Sequence, residues 1–273
     1  MINKITILTS LFILFSTVKS QDIDFQKQEQ KIMSLSNTIL TGDTDSIRNY
    51  ANQQMQALFK VILNTKKSYL YEFTETGHIS MLQPKNKKFK IITWFVPHKD
   101  GNFTYYGIIQ TCNKRGKKCN TYILEDKQNL SQDNISHDFK LNNWYGCLYY
   151  DVITTEIEKT TYYTLLGWDG NNDKTTKKII EVLNFPKQQA PNFGANIFNN
   201  NQQRILIEYS SQYPISLKYD THLEYIVFDH LEPIDEISIE NFSLYAPNLS
   251  YDIFKKTKLG WILEEEIYLN NEK

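Results

Sequence analysis

Apolar residues recur at helical spacing near the start of this chain and at strand spacing beyond it. Phe25, Ile32, Leu35 and Ile39 fall on one face at a 3.6-residue period, with Gln, Lys and Glu between them. Thr41-Gly42 interrupts that stripe, and glycine suits the position just past a helix end. Asp43 or Thr44 then offers a side-chain oxygen to the free N–H groups of a second helix. Ile47, Ala51, Met55, Leu58 and Ile62 form its stripe. Two amphipathic helices with a short link predict a hairpin, and each stripe needs a surface that buries it.

From about residue 69 the pattern shortens to strand-like runs every 10 to 15 residues. They are Lys88–Val96, Thr104–Thr111, Thr121–Leu124, Trp144–Ile153, Thr160–Trp168, Lys178–Leu183, Arg204–Tyr209, Ile215–Tyr219, Tyr225–Phe228 and Trp261–Tyr268. β-Branched and aromatic residues dominate them, as a pleated surface favours. Turn chemistry separates them, as in Lys99-Asp100-Gly101-Asn102 and Asp169-Gly170-Asn171-Asn172. The expected class is α+β, mainly antiparallel β, with the helical hairpin packed on a meander- or sandwich-like sheet assembly. A partial β-propeller is the alternative, since Tyr219-Asp220 and Tyr251-Asp252 weakly echo each other. The predicted organisation is a leader over 1–20, a helical segment over 21–66 and a β-rich domain over 67–273. A polar loop over 125–143 is a candidate seam within that domain.

The first 20 residues have the pattern of an export signal. Lys4 supplies the positive start, Ile5–Phe15 a short apolar run, and Val18 and Ser20 the small residues before a cut between Ser20 and Gln21. A run of that length falls short of the roughly 20 residues that a membrane-crossing helix needs. The mature chain is therefore expected to be secreted or periplasmic, without a transmembrane segment. Composition agrees with a folded chain: 41% of the 273 residues are hydrophobic and 14% aromatic, and the formal charge is only −1. That balance argues against a nucleic-acid partner. An envelope protein or a glycan remains the expected kind of partner.

A set of aromatic segments carries a resemblance. It comprises Trp144-Tyr145-Gly146, Leu148-Tyr149-Tyr150, Tyr162 to Asn171, Lys178 to Leu183, Glu208-Tyr209-Ser210, Leu217 to Asp220 and Phe228-Asp229-His230-Leu231. The set resembles an uncharacterised family of exported, signal-peptide-bearing proteins of Gram-negative bacteria. The resemblance implies export and no activity. Ala246, Asn248 and Ile253 depart from it, standing where Gly, Asp and Gly are expected.

Candidate chemistry is sparse. Cys112 and Cys119 flank a basic turn between two strand-like runs, and export places them in an oxidising compartment, so they are expected to form a disulfide. Cys147 sits among apolar neighbours and reads as a buried structural thiol. None of the five histidines forms H-x-x-x-H or H-E-x-x-H, so no metal site is expected. His222 and His230 read as unrelated side chains. Asp229 and His230 are neighbours on a strand and should point to opposite faces. Asp169, Asn171 and Asp173 have the opening spacing of a calcium loop, but Lys174 and Ile180 stand where Gly and Glu are required. Trp168 to Asn171 therefore reads as a structural turn, with Gly170 expected at positive φ. Glu264-Glu265-Glu266 reads as a solvated strand edge, and Lys85, Lys87, Lys88 and Lys90 as a hairpin's exposed face. Tyr105-Tyr106, Tyr149-Tyr150, Tyr162-Tyr163 and Trp168 could furnish a sugar-stacking platform, but in each pair one ring should face the core and one the solvent, so core packing accounts for half of them.

No catalytic residues and no cofactor are assigned. The expected function is that of an exported, soluble, non-enzymatic protein, structural or ligand-binding, of the envelope. A secreted hydrolase acting on glycan, peptide or lipid is the alternative. Intact-mass analysis of the protein from its native host should show a chain starting at Gln21; a full-length Met1 species in the envelope fraction would contradict the leader.

Overall fold

The structure, a computed structural model, describes residues 23–126, 141, 144–187, 189–199 and 202–268. The leader, the Ser20/Gln21 junction and most of the 125–143 loop lie outside the described residues. Two helices come first, α1 (Phe25–Thr41) and α2 (Asp45–Leu63). Asp24 caps α1 by accepting from the Lys27 N–H, and Thr44 caps α2 by accepting from Ile47. Their stripes face the first sheet. Ile32, Ile39, Ala51, Met55, Phe59 and Ile62 pack with Ile92, Trp94, Val96 and Ile108.

Three antiparallel sheets follow in chain order. The first joins β1 (Ser80–Leu82), β2 (Lys90–Pro97), β3 (Phe103–Cys112) and β4 (Cys119–Leu124) as a meander. The second runs β5 (Leu148–Ile157), β6 (Thr160–Asp169) and β7 (Thr175–Asn184); β8 (Asn192–Phe193) and β9 (Arg204–Ser210) pair with β7. The third is the meander β10 (Leu217–Asp220), β11 (Tyr225–Pro233), β12 (Tyr245–Thr257) and β13 (Gly260–Ile267).

The sheets stack face to face. Phe89, Ile91, Tyr105 and Ile109 of the first pack on Tyr149, Tyr163, Leu165 and Ile179 of the second. Leu166, Ile180 and Val182 on the other side of the second pack on Ile226, Phe228, Phe254 and Trp261 of the third. Adjacent residues such as Leu165 and Leu166 therefore enter different cores. This explains why β2 and β6 read as near-continuous apolar runs, as for any strand covered on both faces. In β13 alternation returns: Trp261 and Leu263 face the core, while Ile262 and Glu264 are exposed. The result is α+β. Successive stacked meanders share the local arrangement of propeller blades, but the helical hairpin takes the far face of the first sheet. Among the described residues no buried cluster joins the first sheet to the third.

Two expectations need correction. β12, the longest of the described strands at 13 residues, falls where the sequence pattern predicts no run. Pro247 and a break in pairing around 248–250 interrupt its alternation, with Leu249 at φ 75°. Lys90 is not on an exposed face: it is 5% exposed, donates to the Ser68 and Tyr71 carbonyls and lies over the Phe73 ring. Burial pulls its pKa down to about 8. It holds the segment between α2 and β1 against the first sheet.

Cys112 and Cys119 are the last cross-strand pair of β3 and β4 and are disulfide-bonded, with Cα atoms 4.1 Å apart. Cys147 is free and buried. Thiol counting on denatured, unreduced protein should therefore find one free thiol. Reduction should cost roughly 2–3 kcal/mol by loop-closure entropy; a count of three thiols would contradict the pairing.

Candidate functional site

The most polar part of the interior lies between the first and second sheets. Glu181 of β7 is fully buried, and its Oε1 accepts from both Arg204 Nε, at 2.7 Å, and the neighbouring guanidinium nitrogen. β7 and β9 set this pair directly opposite each other in register. Its Oε2 accepts from the Tyr149 hydroxyl, whose oxygen accepts from Trp144 Nε1 at 2.9 Å. The Arg204 guanidinium also lies over the Tyr145 ring. The Tyr145 hydroxyl donates to Asp169 Oδ2 at 3.0 Å. Burial raises the pKa values of Tyr145, Tyr149 and Asp169. Cys147 lies in the same layer, fully buried, with its thiol pKa pushed up by desolvation. These groups bond to one another, and such networks hold a core in register.

The Trp168–Asn171 segment is a turn, with one correction. Trp168 packs on Phe95 and Phe103, and Asp169 Oδ1 accepts from the Asn171 N–H at 2.8 Å. Positive φ falls on Asn171, at 53°, not on Gly170. Gly170 is needed for a different reason: a Cβ there would lie 2.4 Å from the Phe103 ring. Its N–H donates to the buried Tyr105 hydroxyl. Asn171 turns its amide to Thr175 and Glu208.

The paired tyrosines also differ from expectation. Tyr105, Tyr149 and Tyr163 are buried, as expected for one ring of each pair. Their neighbours are absorbed too: Tyr106 stacks on Trp94 at 5.6 Å, and Tyr162 packs on the core between the second and third sheets. Only Tyr150 approaches solvent, at 37% exposure, and Lys178 covers its ring. Sheets covered on both faces leave neither ring of a pair free to form a flat platform.

The histidines separate. His222 lies at an exposed turn, its N–H held by Asp220. His230 turns away from Asp229, which accepts from the Ser216 N–H, and its Nδ1 sits 2.7 Å from Asp252 Oδ1. Glu264, Glu265 and Glu266 lie exposed on the edge strand β13, as expected, and Glu266 Oε1 lies 3.5 Å from His230 Nε2.

A groove of about 440 Å³ lies where α2 crosses the edge of the first sheet. Ala57 and Leu63 of α2 form one wall, and Tyr106 and Ile108 of β3 form the other. Trp94 lies at the base and is 2% exposed, its indole N–H held by Asn52 Oδ1 at 2.8 Å. Ile123 of the edge strand β4 stands at the rim with 64% of its surface exposed, and Lys60 adds a cation there. The volume matches small-molecule sites, which pair apolar walls with a few polar groups. Of this lining, sequence reasoning singles out only Tyr106, as one ring of the aromatic pairs. The groove's signal was faint: an alanine on the polar side of α2 and an isoleucine on the outward row of β4.

Comparison with models of protein families, with curated proteins and with solved structures finds no match. The groove and the buried network therefore rest on their own geometry.

The network makes a stability test. Arg204→Met leaves Glu181 as a buried, uncompensated carboxylate and should cost about 3–5 kcal/mol in urea unfolding. Adding Glu181→Leu should recover most of that loss, because an apolar pair of similar volume is tolerated at such sites. A double variant no more stable than Arg204→Met would refute the coupling.

Proposed function

We propose that the chain is an exported, non-enzymatic envelope protein that binds a small amphipathic molecule in the groove beside α2. The observation that carries this reading is the groove itself: an aromatic base, an aliphatic wall from α2, a mixed aromatic and aliphatic wall from β3, and one cation at the rim. An apolar body with an anionic end fits that distribution of surface and charge. Three further features support the reading. The Cys112–Cys119 disulfide suits an oxidising compartment. No described helix is long and apolar enough to cross a membrane. The buried acid–base groups Glu181, Arg204 and Asp169 are hydrogen-bonded within the core. Secretion or a periplasmic address, and membership of the exported family that the aromatic segments resemble, belong to the same proposal.

The probe is 1-anilinonaphthalene-8-sulfonate, an aromatic body with one sulfonate. Titration should give one site per chain, with dye fluorescence rising as Trp94 emission falls. Ala57→Phe fills the groove from an exposed position and should weaken binding about tenfold, and Lys60→Glu should weaken it through charge. Circular dichroism checks that both variants remain folded. Dye binding that neither variant alters would sink this assignment.

A further inference from the structure

We propose that His230, Glu232 and Glu266 form a divalent transition-metal site at the end of the third sheet, with Asp252 orienting the histidine. This goes beyond the groove reading and does not depend on it.

Two breaks in strand pairing bring these residues together. Between β11 and β12 the register jumps from Asp229↔Tyr251 to Leu231↔Pro247, which leaves His230 facing the displaced segment 248–250. Between β12 and β13 it jumps from Tyr251↔Ile267 to Ile253↔Glu264, so Glu265 and Glu266 both oppose Asp252. Glu266 takes φ 55°, and its N–H donates to Asp252 Oδ1 at 3.0 Å. Bulges re-aim side chains in this way and concentrate at functional sites.

The donor geometry follows. Asp252 is 8% exposed, and its Oδ1 lies 2.7 Å from His230 Nδ1. A carboxylate only accepts, so Nδ1 is the donor and Nε2 of the neutral ring carries the free lone pair. A carboxylate behind a ligating imidazole is the usual way to set its tautomer and raise its basicity. Nε2 faces Glu266 Oε1 at 3.5 Å. Two bonds of about 2.0–2.1 Å to a tetrahedral zinc ion put their donor atoms about 3.4 Å apart. Glu232 lies two residues beyond His230, and one donor atom from each of His230, Glu232 and Glu266 falls within 4.8 Å of the others. Both glutamates are exposed and free to close on an ion. Neither has a lysine or arginine partner among the described residues. The mixed nitrogen and oxygen donors favour zinc or manganese over calcium. Bound metal would clip β11 and β13 together across β12.

The competing state is an imidazolium held between two carboxylates, which takes no metal. Untagged protein, stripped with chelator, is titrated with zinc chloride by calorimetry, and thermal melts are recorded with and without EDTA. The expected result is one zinc per chain and a melting temperature raised by several degrees, reversed by EDTA. Glu232→Gln and Glu266→Gln leave the metal-free melt unchanged but weaken zinc binding at least about tenfold, and Asp252→Asn weakens it by a similar factor through the ring's orientation. His230→Gln abolishes it. Cobalt should give the visible absorption of a tetrahedral ion. Absence of zinc binding, or binding that none of these variants alters, overturns the site. A response to calcium alone overturns the transition-metal assignment.

Discussion

The second sheet is sandwiched between the first and the third, and solvent reaches it mainly along β5. Helices lie beyond the first sheet, the third closes the other side, and a charge placed at the centre of β7 must find its partner inside. Glu181 shows what that demands. It is fully buried at the centre of β7, and an unpaired carboxylate there would be untenable. Register supplies Arg204 directly opposite on β9, and Tyr149 closes the remaining oxygen. A slip of one residue in the β7–β9 ladder would send Arg204 to the other face and leave the charge alone. The ion pair therefore fixes register more than it adds stability.

The same constraint shapes where function can sit. Thr93 and Tyr149 join the first and second sheets, and the Trp261 indole donates to Thr164 between the second and third. The interior chemistry is thus committed to holding layers together. What remains for ligands lies at the margins: the crossing of α2 over the first sheet, and the end of the third sheet beyond its apolar core. The first margin is greasy because α2 covers only part of the sheet face that Trp94, Tyr106 and Ile108 occupy.

Much of this was legible in the sequence. Both helices show their stripes and caps, although Ile47, expected in the α2 stripe, is 46% exposed beside the N-cap, and Phe59 rather than Leu58 is fully buried. The disulfide followed from two cysteines on either side of a turn. Three things were hidden. β12 was missed because its bulge and Pro247 break the alternation that marks a strand. Gly170 looked like a conformational glycine, whereas its role is set by Phe103, which is 67 positions away in the chain. Glu181 and Arg204 sit unmarked within two strand-like runs, because pairing between β7 and β9 depends on which strands lie side by side. Local chemistry is readable from spacing; contacts across sheets are not.

His230 is the clearest case of that last limit. Its chain neighbour Asp229 suggests a dyad and points elsewhere, while the carboxylates that meet it come from β12 and β13, at positions 252 and 266. Asp252 lies opposite Phe228 in the ladder and so shares the row that packs against the second sheet. A few residues along that row the apolar core ends, and the same inward direction now leads to a half-open end of the sheet. There a carboxylate keeps part of its hydration, so several can gather without the pairing that Glu181 requires. Position along one strand row thus decides whether an acid serves to lock the fold or stays available to bind. Two bulges mark the place where that change occurs.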